Sequence, residues 1–130
     1  MARTIVTQAH HRPDLCAWLV EIDAEDGTVV GPLPVTDGLV LGRSGTRGAT
    51  DPARDVLEFD DPTLSIPHAS THFRDVGSQE HAVLRDLGST NGTRVNGLLA
   101  VEHDLCDGDR ITIGDTSLIF RQTQLRSPSR

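Results

Sequence analysis

The sequence predicts an all-β domain, a sandwich or a barrel. Three observations carry that prediction. Short runs rich in Val, Ile and Leu recur along the chain. Turn signals such as Asp26–Gly27, Asp37–Gly38, Asn91–Gly92, Asn96–Gly97 and Asp107–Gly108 separate them at intervals of about 8–12 residues. No stretch keeps apolar residues at the 3.6-residue spacing of a helix for three turns, so almost no helix is expected.

The elements follow in chain order. Leu15–Ile22 is the first strand-length run, and Thr28–Val35 the second. Pro32 and Pro34 cannot donate to a ladder, so the second strand is expected at an edge or irregular. Leu39–Leu41 is short and wholly apolar. A long polar loop is expected over 44–54, before the run Val56–Phe59. The runs Ala82–Leu87, Leu98–Val101, Arg110–Ile113 and Ser117–Phe120 are further examples. Asn91–Gly92 and Asn96–Gly97 are the sharpest local signals, because a two-residue type I′ turn needs positive φ twice and Asn-Gly tolerates this most cheaply. The stretch 123–130 has nothing to bury and is expected to be disordered. There is no internal repeat and no sign of a second domain.

Composition narrows the chemistry. A chain of 130 residues can bury roughly 65–70% of its unfolded surface, enough for one core without staples. With no Tyr, one Trp and three Phe, that core must be mostly Leu, Ile, Val and Ala. All 12 basic residues are Arg; the absence of Lys excludes a Walker-type phosphate loop, a Schiff base and a Ser-Lys dyad. The net charge of -7 argues against general nucleic-acid binding, which runs on phosphate neutralisation. The stretch 13–120 holds seven Arg against all 19 acids, a net -12, and the basic ends read as solubilising tails. Cys16 and Cys106 are too far apart in sequence for a zinc pair; one bridge is possible, but they read as two reduced, partly buried thiols. No run approaches 18 apolar residues and no signal peptide is visible, so the expectation is a soluble, cytoplasmic protein without membrane contact. Arg, Ala, Gly and Asp in abundance without Lys point to a GC-rich bacterial genome.

An enzyme is not expected. His68 and His72 are spaced i, i+4, which brings two rings to one metal only on a helix; on a strand they stand about 13 Å apart. No Ser sits in a G-x-S-x-G elbow, and no metal or cofactor site is apparent. The Gly-rich stretch Gly42–Arg43–Ser44–Gly45–Thr46–Arg47–Gly48 is either a flexible surface loop or a cradle of backbone amides for an anion.

Taken in order, Gly42–Arg43, then Ser65–Ile66–Pro67–His68, then Asp86–Leu87–Gly88–Ser89–Thr90–Asn91–Gly92–Thr93–Arg94–Val95–Asn96–Gly97, then Gly108–Asp109–Arg110–Ile111–Thr112–Ile113–Gly114 form a constellation. It resembles the forkhead-associated (FHA) domain over roughly residues 15–122, leaving 1–14 as an N-terminal extension. The resemblance implies an eleven-stranded antiparallel β-sandwich whose loops at one end bind phosphothreonine peptides. It implies that Arg43 and Ser65 contact the phosphate, that Thr90 assists, and that Asn91 holds the peptide main chain. The resemblance further implies that His68 braces the loop from behind, while Gly42 and Gly92 are expected to let the backbone turn. The residue types suit these tasks. Phosphothreonine carries about -1.5 to -2 charges and three acceptor oxygens. An Arg fork can bond it twice, and short hydroxyls can approach closely.

Two features depart from the family pattern. Ile66 stands where the family often places a further phosphate donor, and Pro67 removes a backbone N–H. Arg47 and Arg54 in the long loop either replace that charge, with Ser44 as an auxiliary, or are simply solvated. The implied partner is a phosphothreonine-containing protein, either a Ser/Thr kinase or its substrate. The alternative is an interaction or scaffold domain on the same fold that binds without phosphate. Small bacterial proteins with this domain can carry their own phosphorylatable threonine, so Thr4 or Thr7 either plays that part or belongs to an unmodified tail.

Overall fold

The computed structural model describes residues 15–23 and 25–124. Eleven strands run in the order β1 (Leu15–Ile22), β2 (Val29–Pro34), β3 (Leu39–Arg43), β4 (Val56–Phe59), β5 (Ala69–Val76), β6 (Gln79–Asp86), β7 (Thr93–Val95), β8 (Leu98–Leu99), β9 (Glu102–Asp104), β10 (Arg110–Ile113) and β11 (Thr116–Gln124). A single 3₁₀ turn at Arg47–Ala49 is the one helical element among the described residues. The strands form a six-stranded sheet ordered β2-β1-β11-β10-β7-β8 and a five-stranded sheet ordered β4-β3-β5-β6-β9.

Alternation along the strands builds the core between the sheets. In β11, Thr116, Leu118 and Phe120 are buried while the residues between them are not. In β10, Ile111 and Ile113 face in and Arg110 faces out. These meet Leu19 from β1 and, from the other sheet, Leu41, Ala69, Ala82 and Leu84, all essentially inaccessible to water.

β2 is an edge strand with a register shift opposite β1, as its two prolines require. Several details differ from the sequence reading. Cys16 and Cys106, read as partly buried, are both free and exposed. β3 and β4 pair in parallel, from Val40 opposite Val56 to Arg43 opposite Phe59, so the sandwich is not wholly antiparallel. A parallel pair needs a crossover, and the long 44–55 connection supplies it. Asn91–Gly92 is not a hairpin turn: β6 and β7 belong to different sheets, and Asn96 is the one described non-glycine residue with positive φ. The hairpin is Asn96–Gly97, joining β7 to β8 with φ values of 53° and 87°. Finally, β11 runs to Gln124, where Leu15 pairs with Gln124 and Cys16 with Thr123, so ordered structure enters the stretch read as a tail. Residues 125–130, like Thr4 and Thr7, lie outside the described residues.

Candidate functional site

Three connections meet at the end of the sandwich where β3 finishes. They are the segment after Arg43, the β4–β5 loop and the β6–β7 loop. β3 is buried from Leu39 to Gly42 and reaches water only at Arg43. The backbone there is clamped. Arg43 N donates to Ser65 O at 3.2 Å, and Arg43 O accepts from Thr46 N at 3.0 Å and from the Thr46 hydroxyl at 2.7 Å. Gly42 has no room for a side chain, because a Cβ would collide with the Thr46 hydroxyl and crowd Ser65 O. The Arg43 guanidinium itself has no hydrogen-bond or ion-pair partner among the described residues, and it lines an open groove with Ser65, Ile66, Thr90 and Asn91.

The β4–β5 loop is shaped by Asp61. Its carboxylate accepts from Thr63 N and the Thr63 hydroxyl, and also from Asp115 N and the Thr116 hydroxyl on the β10–β11 side. Burial alone would raise its pKa, but the hydrogen bonds from Thr116, Thr63 and Asp115 outweigh burial and hold it below the ordinary carboxylate value. Leu64, buried, pins the loop to the core. The β6–β7 loop is organised by Asp86 in the same way. It accepts from Gly88 N, Ser89 N, the Ser89 hydroxyl at 2.6 Å and the Thr93 hydroxyl at 2.7 Å. Here too burial acts upward, and the bonds from Ser89, Thr93 and Gly88 win and lower the pKa.

Four bonds then join the two loops, one of them from Leu87 N to His68 O at 2.9 Å. Thr90 N donates to the Ser65 hydroxyl at 2.9 Å, Asn91 Nδ2 to Thr63 O at 2.8 Å, and His68 Nε2 to Gly92 O at 2.9 Å. His68 is fully buried, and its Nδ1 accepts from Ser65 N at 3.0 Å. That acceptor role places the ring proton on Nε2, so the imidazole is a two-ended brace behind the groove rather than a wall of it.

The residues read from the sequence do not all converge. Arg43, Ser65, Ile66, Thr90 and Asn91 share the groove, and His68, Gly42 and Gly92 stand behind it. Ser44 is exposed and its N–H is spent on Phe59 O. Arg47 is folded onto its own loop, donating to Arg54 O at 2.7 Å and Asp51 O at 2.8 Å. Arg54 Nε donates to Gly38 O, before the start of β3 and so away from Arg43. The amides of Gly45 and Arg47, which could have cradled an anion, are held by the Glu58 carboxylate. Asn91 spends part of its amide on Thr63, so it shapes the groove as well as facing it.

Sequence reading missed Thr63 and Leu87, which also line the groove of about 510 Å³. The Asp61-Pro62-Thr63 triplet is an Asx-type turn signal and could have marked the first; Leu87 stood in the Asp86–Gly97 pattern and a strand run, but with no binding role assigned to it. His72 is bonded to Ser70, not to His68. No group of three His, Cys, Asp or Glu among the described residues is arranged to hold a metal, and no described helix is long and apolar enough to cross a membrane.

The FHA domain family matches residues 39–114. No curated protein matches the sequence. Among solved structures, an FHA domain studied for phosphothreonine-dependent interactions is 26% identical, with 88% of this chain and 99% of that one covered and a TM-score of 0.58. The FhaA FHA domain, solved in complex with the intracellular domain of Rv3910, is 29% identical over 82% of this chain and 99% of its own, with a TM-score of 0.53. Mycobacterium tuberculosis EmbR, solved with a low-affinity phosphopeptide, is 26% identical over 88% of this chain but only 26% of its own length, with a TM-score of 0.56.

Proposed function

The chain belongs to the FHA domain family, and from that premise we propose that it is a non-catalytic reader of phosphothreonine peptides. The observation that carries the reading is the Arg43 guanidinium, unpartnered among the described residues, beside two hydroxyls on cross-linked loops. A phosphate dianion would take two charge-assisted bonds from Arg43 and one from the Ser65 O–H, whose oxygen already accepts from Thr90 N. The Thr90 hydroxyl would add another, and Asn91 would hold the peptide main chain. Such a module recruits a protein marked by a Ser/Thr kinase, or the kinase itself, in the cytoplasm. A net charge of -7 disfavours nucleic acid or an anionic membrane as the ligand.

The competing reading is protein contact without phosphate. It draws on Ile66, an apolar side chain 36% exposed in the groove where a further donor would strengthen phosphate binding. A pull-down from a peptide library, before and after phosphatase treatment, separates the two. Capture of phosphothreonine peptides by the wild type and not by Arg43→Ala supports the phosphate reading. Equal capture of treated and untreated peptides sinks it.

A further inference from the structure

Register and burial together define the outer face of the six-stranded sheet. Leu19, Leu118, Phe120, Ile111, Ile113 and Val95 are buried between the sheets, so the residues that alternate with them point outward. Directly paired positions place Trp18 beside Arg121, Val20 beside Ile119, Ile119 beside Arg110 and Thr112 beside Arg94 on that one face. Trp18, Val20, Ile22 and Ile119 make an apolar stripe along the neighbouring strands β1 and β11, each of them part-exposed. Val29, 61% exposed, extends the stripe opposite Ile22. No described strand lies over this face, since all eleven belong to the two sheets, and the 3₁₀ turn packs on β4.

The charge here opposes that of the chain. Glu21 is the only acid in the six strands, and its pairing with buried Leu118 puts it on the inner face. The strands of the other sheet carry Glu58, Asp75, Glu80, Asp86, Glu102 and Asp104. Arg94, Arg110 and Arg121 are exposed on a face whose strands present no acid. Arg121 is paired with Asp107 at 2.8 Å. The guanidiniums of Arg94 and Arg110 have no hydrogen-bond or ion-pair partner among the described residues. They stand on β10 and β7, one and two strands out from the apolar stripe.

We propose that this face docks an amphipathic helix of a partner protein, apolar along its contact stripe and acidic along one flank. The site is separate from the Arg43 groove and does not depend on how that groove is used. The dimensions fit. Two neighbouring strands span about 10 Å, the width of a helix, and Trp18 to Ile22 covers about 13 Å, roughly nine residues of helix. A helix lying along β1 and β11 turns one flank toward Arg110 and Arg94. Charge selects this occupant. A second copy of the chain would set one acid-free face against another. The chain's own ends outside the described residues hold one acid, Asp14, against four arginines. Neither brings the row of carboxylates that two unpartnered guanidiniums attract. Trp and Arg, both present here, are the side chains that most often anchor protein interfaces.

The probe is a display library of helices, each about 14 residues long, with a fixed leucine stripe and flanking positions varied among Glu, Gln and Lys. It is selected against the wild type. Single clones are then titrated into the wild type, the Arg94→Gln/Arg110→Gln double variant and Arg43→Ala. Both substituted arginines of the double variant are exposed and unpartnered among the described residues, so its melting temperature should hold. Selection should enrich Glu along one flank. These clones should bind the double variant about five-fold or more weakly, the sum of two exposed charge pairs. They should bind Arg43→Ala as they bind the wild type, and should fail when serine replaces the leucine stripe. No enrichment, enrichment of Lys, or equal affinity for the double variant overturns the proposal. So does retained binding by serine-stripe clones, or loss of binding in Arg43→Ala, which would put acidic helices in the groove instead. A DNA duplex that binds the wild type and not the double variant, where no helix is selected, assigns the arginines to a nucleic acid and overturns it as well.

Discussion

Thr90 donates its backbone N–H to the hydroxyl of Ser65, 25 residues earlier in the chain, at 2.9 Å. One atom thus does two things. By accepting from Thr90, the Ser65 oxygen fixes the β6–β7 loop, and its own proton is left free to point into the groove. Ser65→Ala should therefore weaken phosphopeptide binding by about 10-fold and also lower stability by about 1 kcal/mol, since Thr90 N loses its acceptor. Calorimetry and thermal melts on the same sample check both. A loss of affinity with unchanged stability would show that the Ser65–Thr90 bond adds nothing to the fold.

Arg43 should dominate affinity. Charge-assisted hydrogen bonds contribute about 1.5–3 kcal/mol each, and two from one guanidinium suggest a loss of at least ~100-fold in Arg43→Ala. Arg43→Lys should recover little, because a point charge cannot reproduce the planar fork. Melting temperatures should be unchanged, as the side chain is exposed and bonds to nothing among the described residues.

His68 acts on stability first. Its removal strands Ser65 N and Gly92 O behind the groove. His68→Ala should lower unfolding free energy by about 1–3 kcal/mol, read by denaturant titration. Unchanged stability with abolished binding would contradict its role as a brace.

Asp61 and Asp86 set the acid limit of the fold. Both have pKa values below the ordinary carboxylate value when folded. Their stabilisation is therefore fully present above the unfolded value, near 4, and is lost as pH falls through the folded value. Asp61→Asn should melt below the wild type at pH 7, with the gap closing as pH is lowered beneath about 4. A gap that stays constant down to pH 2.5 would refute this assignment.

Flanking charge should matter modestly. Arg47 and Arg54 are committed to backbone carbonyls, while Asp60 and Glu58 remain exposed near the β4–β5 loop. Peptides with basic or apolar residues beside the phosphothreonine should bind several-fold better than acidic ones, and the difference should fade with salt. An array in which acidic flanks bind best at low salt would contradict this.

Most of the strands and the Asn96–Gly97 hairpin were legible because alternation and turn chemistry are local; β7 and β9, three residues each, were too short to stand out as runs. The same Asn-Gly signal misled at Asn91–Gly92, since a hairpin also requires that the flanking strands pair, and β6 and β7 lie in different sheets. The groove residues Arg43, Ser65, Thr90 and Asn91 were visible as a spaced pattern. What held them was not. Asp61 meets Asp115 and Thr116 across more than fifty residues, and no property of those acids in sequence predicts that meeting. Nor could spacing show that Glu58 would occupy the amides of the Gly-rich stretch. Leu98 and Leu99 matched a strand pattern, but pattern alone does not tell an edge from a core position.

The four bonds that tie the β4–β5 loop to the β6–β7 loop also bear on time. A groove assembled in advance has no loop to order when a ligand arrives. Association should then run at the ordinary encounter rate, about 10⁵–10⁷ M⁻¹s⁻¹, for strong and weak peptides alike. Differences among partners would appear almost wholly as residence times. A partner that loses its phosphate would be set free at its own dissociation rate, with no slow relaxation of the domain to delay the signal's end.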